Sequence, residues 1–191
     1  MKVNLVAGIG VYEKGIYLSK IGGTHTKEYQ LWYSMLQRCK PNGLIQRKNP
    51  SYIGCSVHPD FIHFQDFAQW CQTQIGFGND GWDLEKDILV KGNKVYGPDT
   101  CVFVPIAMNQ LLTYTKSNIG LYPIGVCKHR ERFIARIHIA PTHKYLGTFD
   151  TPEQAYAAYK IAKLDEIYRQ ADLWKDLMDV RVYNSLVNWT I

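Results

Sequence analysis

An α+β fold in two parts is what this sequence predicts, on three observations. Between residues 27 and 72, two stretches carry aromatic and aliphatic side chains at steps of three and four, the spacing of an amphipathic helix. Residues 82–112 alternate short apolar runs with turn signals and close on a helical run. Beyond residue 120 the period changes to two, over three short runs that a single well-signalled helix follows.

In chain order, the opening KVNLVAGIGVY reads as a strand with glycine turns, and Thr24 to Cys39 as a helix. Tyr29, Trp32, Met35, Leu36 and Cys39 make its stripe, and Lys40-Pro41-Asn42-Gly43 ends it. A polar loop leads to a brief strand, YIGCSV, and then to His58-Pro59-Asp60, where proline suits a first helical turn. Phe61, Phe64, Phe67, Ala68 and Cys71 mark a second helix with a core-facing aromatic stripe, which stops near residues 76–81. From Trp82 the pattern is strand, loop, strand and helix, with turns at Lys91-Gly92-Asn93 and Gly97-Pro98-Asp99 and the helix from Ile106 to Leu112.

These elements make a first module, 1–114, with a polar linker at 115–120. The second module, 121–171, holds the strands YPIGVC, RFIARIHI and KYLGTF as an antiparallel sheet packed on one helix. Thr151 is that helix's N-cap, Pro152 its first residue, and Gln154 completes a capping box. Ala155, Ala158 and Ala162 share one flat face suited to close packing on the sheet. The apolar tail 172–191 is expected to pack back on one of the modules.

The 191 residues are 46% apolar and 20% charged, which excludes disordered, collagen-like and disulfide-framework classes. No run approaches the roughly 20 apolar residues of a bilayer span, and the N-terminus lacks a secretory layout, so no membrane partner and a cytoplasmic location are expected. Cys39, Cys55, Cys71, Cys101 and Cys127 are scattered, with no CxxC pair, and read as small buried hydrophobes rather than metal ligands. The net charge of +5 is uneven: residues 20–48 carry +5 and residues 124–145 carry +4, leaving −4 elsewhere. Two basic regions in an otherwise acidic chain point to a polyanionic partner.

Strand alternation along Arg132–Ile139 sorts that partner's contacts. Phe133, Ala135, Ile137 and Ile139 share an apolar face that should meet the alanines of the helix. Arg132, Ile134, Arg136 and His138 share the other, which no further helix is available to cover. Lys128, His129 and Arg130 before this strand, and Lys144 and Tyr145 after it, enlarge the patch. Arginine's planar fork suits phosphates and guanine edges.

The string GVCKHRERFIARIHIAPTHKYLGTFDTPEQAYAAYKIAK closely resembles the APETALA, or ethylene-response-factor, type of DNA-binding domain, which also occurs in phage proteins. Gly125-Val126, Ala135, Ile137, Tyr145-Leu146-Gly147-Thr148-Phe149, Thr151, Glu153, Ala155, Ala158, Tyr159 and Ala162 carry the likeness, over about one fifth of the chain. The resemblance implies a three-stranded sheet lying in the major groove of double-stranded DNA, with contacts from Lys128, Arg130, Arg132, Arg136, His138 and Lys144. The family's strand tryptophans have no counterpart here.

Residues 27–112 resemble the HNH endonuclease-like proteins that phages join to this domain. Tyr29, Trp32, Met35, Leu36, Arg38 and Cys39 match, as do Tyr52, Gly54, Val57, Phe61, Phe64 and Phe67. Leu84, Asn93, Tyr96, Pro98, Cys101 and Asn109 fall where the family's ββα-metal unit runs. Such a unit needs a histidine general base and a held divalent ion. Trp82 to Tyr114 contains no histidine, and Thr100-Cys101 stands where the family has Asn-Cys. The candidates left for chemistry are Asp83, Glu85 and Asp87 as hard-cation ligands, Lys86 as a phosphate neutraliser, and Asn93 and Asn109. His58 and His63 read as surface or helix-end groups.

The expectation is therefore a phage-type double-stranded DNA-binding protein whose nuclease-derived module has lost catalysis and needs no cofactor. That module adds backbone grip through Arg38, Lys40, Arg47 and Lys48. Two readings compete with it. One is an active HNH homing-type endonuclease using Mg²⁺; the other is a phage accessory protein that binds and inhibits a host defence protein in the bacterial cytoplasm.

Overall fold

The computed structural model describes residues 5–112, 121–139 and 141–191, and the expected linker at 115–120 lies outside them. The chain forms two compact units, 1–104 and 105–191. Both mix helices with small sheets, so the α+β expectation holds. Among the described residues no helix is long and apolar enough to cross a membrane.

In the first unit, α1 (Lys27–Cys39) and α3 (Phe64–Gln72) pack together. The two stripes read from the sequence supply the seam: Trp32, Met35, Leu36 and Cys39 from one helix, and Phe64, Phe67, Ala68 and Cys71 from the other, are all buried. Trp32 Nε1 donates to the Phe61 carbonyl at 2.8 Å, which satisfies the one polar atom this indole brings into the core.

The first helix starts later than Thr24. Thr24 and His25 instead form β2 (Thr24–His25), a two-residue strand that folds back on β1 (Lys20–Ile21) through Gly22-Gly23. The cap is Thr26, whose side chain accepts from the Tyr29 amide. The strand expected from Tyr52 is likewise short. Pro50–Tyr52 is a 3-10 turn, and only β3 (Ser56–Val57) extends, pairing in parallel with β5 (Val95–Tyr96). Pro59 opens a second 3-10 turn, as its ring suggested. The remaining helix of this unit is α2 (Leu44–Lys48), and its sheets are completed by β4 (Trp82–Glu85) beside β6 (Val102–Pro105).

The second unit begins with α4 (Ile106–Leu112), which packs on α5 (Pro152–Trp174). Its sheet has the order β7 (Val126–His129), β8 (Arg132–Ile139), β9 (Thr142–Phe149), antiparallel throughout, and lies against α5. Thr151 caps α5 by accepting from the Gln154 amide at 3.3 Å, but Gln154 Oε1 reaches the Asp150 amide rather than the amide of Thr151. Of the three alanines only Ala155 is buried outright, and Tyr159 takes up much of the seam. Gly125 sits against the Tyr159 ring at φ +79°, where any side chain would collide with that ring. The tail packs back as expected: α6 (Val180–Val187) seats Val182 and Leu186 beside α5, with Asp179 as its cap.

Candidate nucleic-acid interface

Cross-strand register decides which side chains share a face, because directly paired residues of antiparallel strands project to the same side. Ala135 is fully buried and faces α5, so its partners Val126 and Gly147 do too. The opposite face then carries Cys127, His129, Arg132, Ile134, Arg136, His138, His143, Tyr145 and Thr148. Arg132, Arg136 and His138 are thus brought together as alternation predicted, and all three are exposed.

Two of the predicted contacts lie on the other side. Lys128 pairs with Phe133, which puts it on the α5 face at the sheet edge, 4.0 Å from Glu131. Lys144 pairs with Ile137, and its charge helps hold the buried Glu166 carboxyl of α5 below its ordinary range, after the larger effect of the hydrogen bond from Arg169. The cause is a bulge. Ala135 pairs with Gly147 and Arg136 with Tyr145, so Leu146 is extra and the alternation of β9 reverses before it. Gly147 adopts φ +141°, a region closed to residues with a Cβ. The reversal turns Lys144 inward and brings His143 outward, the one basic residue of this face that the sequence reading did not name.

The open face is held in place locally. Arg132 Nε lies 3.0 Å from Asp150 Oδ1, and its terminal nitrogen donates to the Thr148 carbonyl. Tyr145 and Thr148 share a 2.6 Å hydroxyl contact, and the His138 and His143 rings lie 4.6 Å apart across the strands. The Arg136 guanidinium has no hydrogen-bond or ion-pair partner among the described residues. Ile134, only 8% exposed, forms the floor between Cys127 and Thr148. Arg130 projects from the two-residue hairpin loop at φ +54°. Cys127 is exposed on this face, against the expectation of five buried thiols; the other four are buried. Burial pushes the thiols of Cys39 and Cys101 up to about 12, so they behave as the inert small hydrophobes anticipated.

In the first unit the chemistry candidates are engaged with their own loop. Lys86 is buried, and its ammonium donates to Asp87 Oδ1 at 2.6 Å and to the Asn93 carbonyl at 2.7 Å, above the Tyr96 ring. Asn93 returns the tie by donating to the carbonyls of Lys86 and Val95. Glu85 accepts from the amides of Lys86 and Asp87, and Asp83 from that of Leu84. Asn109 lies on α4, in the other compact unit. This set does not fit a divalent ion, because the Lys86 ammonium already stands beside Asp87 with the same sign of charge an ion would bring. Among the described residues no group of three or more His, Cys, Asp or Glu is arranged to hold a metal. His58 and His63 are helix-end groups, the first accepting from the Asp60 amide and the second 2.9 Å from Glu13.

Of the secondary basic residues, Lys40 and Arg47 are exposed at the ends of their helices, whereas Arg38 and Lys48 line a common cleft. Compared with known protein families, curated proteins and solved structures, the chain finds no match.

Proposed function

We propose that this chain is a phage-type double-stranded DNA-binding protein in which the open face of the β7-β8-β9 sheet enters the major groove. One observation carries the reading: the register collects Arg132, Arg136, His129, His138 and His143 on the sheet face opposite α5. Three strands about 4.8 Å apart make a layer roughly 10 Å wide, commensurate with a major groove of about 12 Å. Arg136 projects its fork from the middle strand toward base edges, and Arg130 at the hairpin tip reaches a phosphate. Arg132, already braced by Asp150, acts on the sheet's rim. The first unit, of HNH-like descent, contributes phosphate contacts through exposed Lys40 and Arg47, while its Lys86–Asp87–Asn93 network serves its fold rather than hydrolysis.

Duplex binding measured by fluorescence anisotropy across a salt titration tests this. With about four to six phosphates neutralised, affinity should fall roughly a hundredfold or more between 50 and 200 mM salt. Arg136→Ala should cost about 1–3 kcal/mol of binding with an unchanged melting temperature. A flat salt response, or full affinity in Arg136→Ala, removes the reading. Supercoiled plasmid should stay intact in Mg²⁺; nicking that Asp83→Ala or Asp87→Ala abolishes would establish the nuclease in its place.

A further inference from the structure

The first unit carries a second concave site that the sheet does not explain. A cleft of about 490 Å³ opens between α1 and α2, lined by Tyr33, Gln37 and Arg38 on one wall and by Lys48, Asn49 and Tyr52 on the other, with Ser34 and Ile45 completing it. Tyr33, Ser34, Gln37 and Arg38 are spaced to share one face of α1, which is why a single helix can furnish a whole wall.

The walls are fixed by buried groups. Gln46, buried below the cleft, donates from its one amide nitrogen to the Arg38 and Tyr52 carbonyls, both at 3.1 Å, and so ties α1 to the 3-10 turn. Lys94 donates to the Ser51 carbonyl and holds that turn from the other side. The Arg38 guanidinium lies 5.5 Å over the Tyr52 ring. Burial opposes its charge, yet the Tyr96 and Tyr52 side chains, with a smaller contribution from the Asp83 carboxylate, more than offset this and raise its pKa. A cation is therefore held ready in a partly dry place. Among the described residues neither Arg38 nor Lys48 has a carboxylate within ion-pair distance and none lines the cleft; Asp83 acts on Arg38 only from farther off.

The chemistry of these groups is specific in combination. Two cations with no direct ion-pair partner among the described residues favour an anion, two tyrosine rings select a flat apolar partner, and the Gln37 and Asn49 amides can pair with the polar edge of such a ring. A nucleotide has all three features, and the volume falls within the range for ligands of that size. The source of the nucleotide is indicated by a run of rings from the end of β2 into α1. His25, Tyr29 and Tyr33, four residues apart, stack in a ladder with centroid spacings of 4.7 and 6.3 Å and near-parallel planes. The ladder ends at the cleft on Tyr33, which is 45% exposed. Ring platforms beside a cationic groove are how proteins hold single strands without reading sequence.

We propose that this cleft takes one unstacked nucleotide of a single-stranded DNA segment, its base beside Tyr33 and Tyr52 and its phosphate at Arg38 and Lys48. This site is independent of the sheet reading, and the test separates them. Binding of fluorescein-labelled tetrathymidylate to the full chain is measured by anisotropy for wild type, Tyr33→Ala, Tyr33→Phe, Lys48→Ala and the Arg132→Ala/Arg136→Ala double variant. Tyr33→Ala should weaken it roughly tenfold and Lys48→Ala several-fold, with Tyr33→Phe near wild type, since a phenyl face stacks as well. Both residues are exposed, so melting temperatures should not move; affinity lost in the double variant but kept in Tyr33→Ala would put the strand on the sheet and overturn the site. No binding by wild type, or unchanged affinity in both Tyr33→Ala and Lys48→Ala, overturns the site whatever the sheet does. Thymidine monophosphate binding as tightly as the oligonucleotide overturns the strand assignment in favour of a free nucleotide.

Discussion

The two basic residues Lys86 and Arg136 sit at the centres of the two regions that invite a functional reading, and the structure treats them oppositely. Lys86 is 3% exposed and its ammonium has both a carboxylate and a backbone carbonyl to donate to. Arg136 is exposed and has no hydrogen-bond or ion-pair partner among the described residues, although it lines a cleft shared with Tyr159, Lys163 and Glu166 of α5. A charge already satisfied inside its own loop stabilises that loop; a charge left to solvent on a supported sheet is available to a partner. Composition alone, which gives both regions acids and bases, cannot make that distinction. Four substitutions break or sharpen it.

The largest effect belongs to the covered face. Ala135→Arg puts a long cation at a fully buried position between β8 and α5. Overpacking and an unpaired buried charge together should cost several kcal/mol. The 105–191 unit should lose its cooperative melting transition; a native-like melt accompanied by lost DNA binding would mean that the two faces have been interchanged.

Next comes Lys86→Met, which keeps the volume and removes the charge. The Asn93 carbonyl loses a donor, while Asp87, about half exposed, can turn to water. The expected loss of stability is about 1–3 kcal/mol, confined to the first unit, with duplex DNA affinity unchanged. Affinity lost at intact stability would return Lys86 to the list of phosphate contacts and undo the contrast with Arg136.

Gly147→Ala addresses the bulge between the two faces. At φ +141° an added Cβ is strained by about 1–3 kcal/mol, and it would stand 3.1 Å from the Phe149 ring. A melting temperature lowered accordingly is expected. A neutral result would show that β9 runs without the bulge, and Lys144 would then belong with the arginines.

That glycine also marks where the sequence stops being legible. Helical stripes were readable because burial recurs within one segment: Trp32, Met35 and Leu36, or Phe64, Phe67 and Ala68, announce their face with no help from elsewhere. The Thr151-Pro152 start of α5 was readable for the same reason. Within β8, alternation placed Arg132, Arg136 and His138 correctly. What failed depended on a partner strand. The reversal at Leu146 exists only in the pairing of β9 with β8, so sequence alternation alone puts Lys144 on the open face and gives no sign of His143 there. The hairpin of β1 and β2, two residues each, has no period to detect, and Thr24 read as helix. The cleft at Tyr33 unites residues up to nineteen positions apart through the amide of Gln46, a tie that no local pattern contains.

The smallest effect is the most discriminating for the faces of the sheet. Lys144 adds to the positive charge of residues 124–145 as much as Arg136 does, so a purely charge-counting account assigns the two equal weight. Register separates them: Arg136 opposes Tyr145 on the open face, and Lys144 opposes Ile137 on the α5 face, near Glu166. A side chain turned away from the groove contributes only a screened, distant charge, since exposed charges beyond a Debye length of about 8 Å at physiological salt act weakly. Lys144→Gln should therefore change duplex affinity by less than about 0.5 kcal/mol where Arg136→Ala costs about 1–3 kcal/mol. It should also leave the slope of affinity against salt unchanged, because a lysine that touches no phosphate releases no counterion. Anisotropy titrations of the two variants at matched salt concentrations decide it. Equal losses, or a slope reduced by one unit for Lys144→Gln, would mean that DNA responds to the net charge of this unit and not to one face of its sheet.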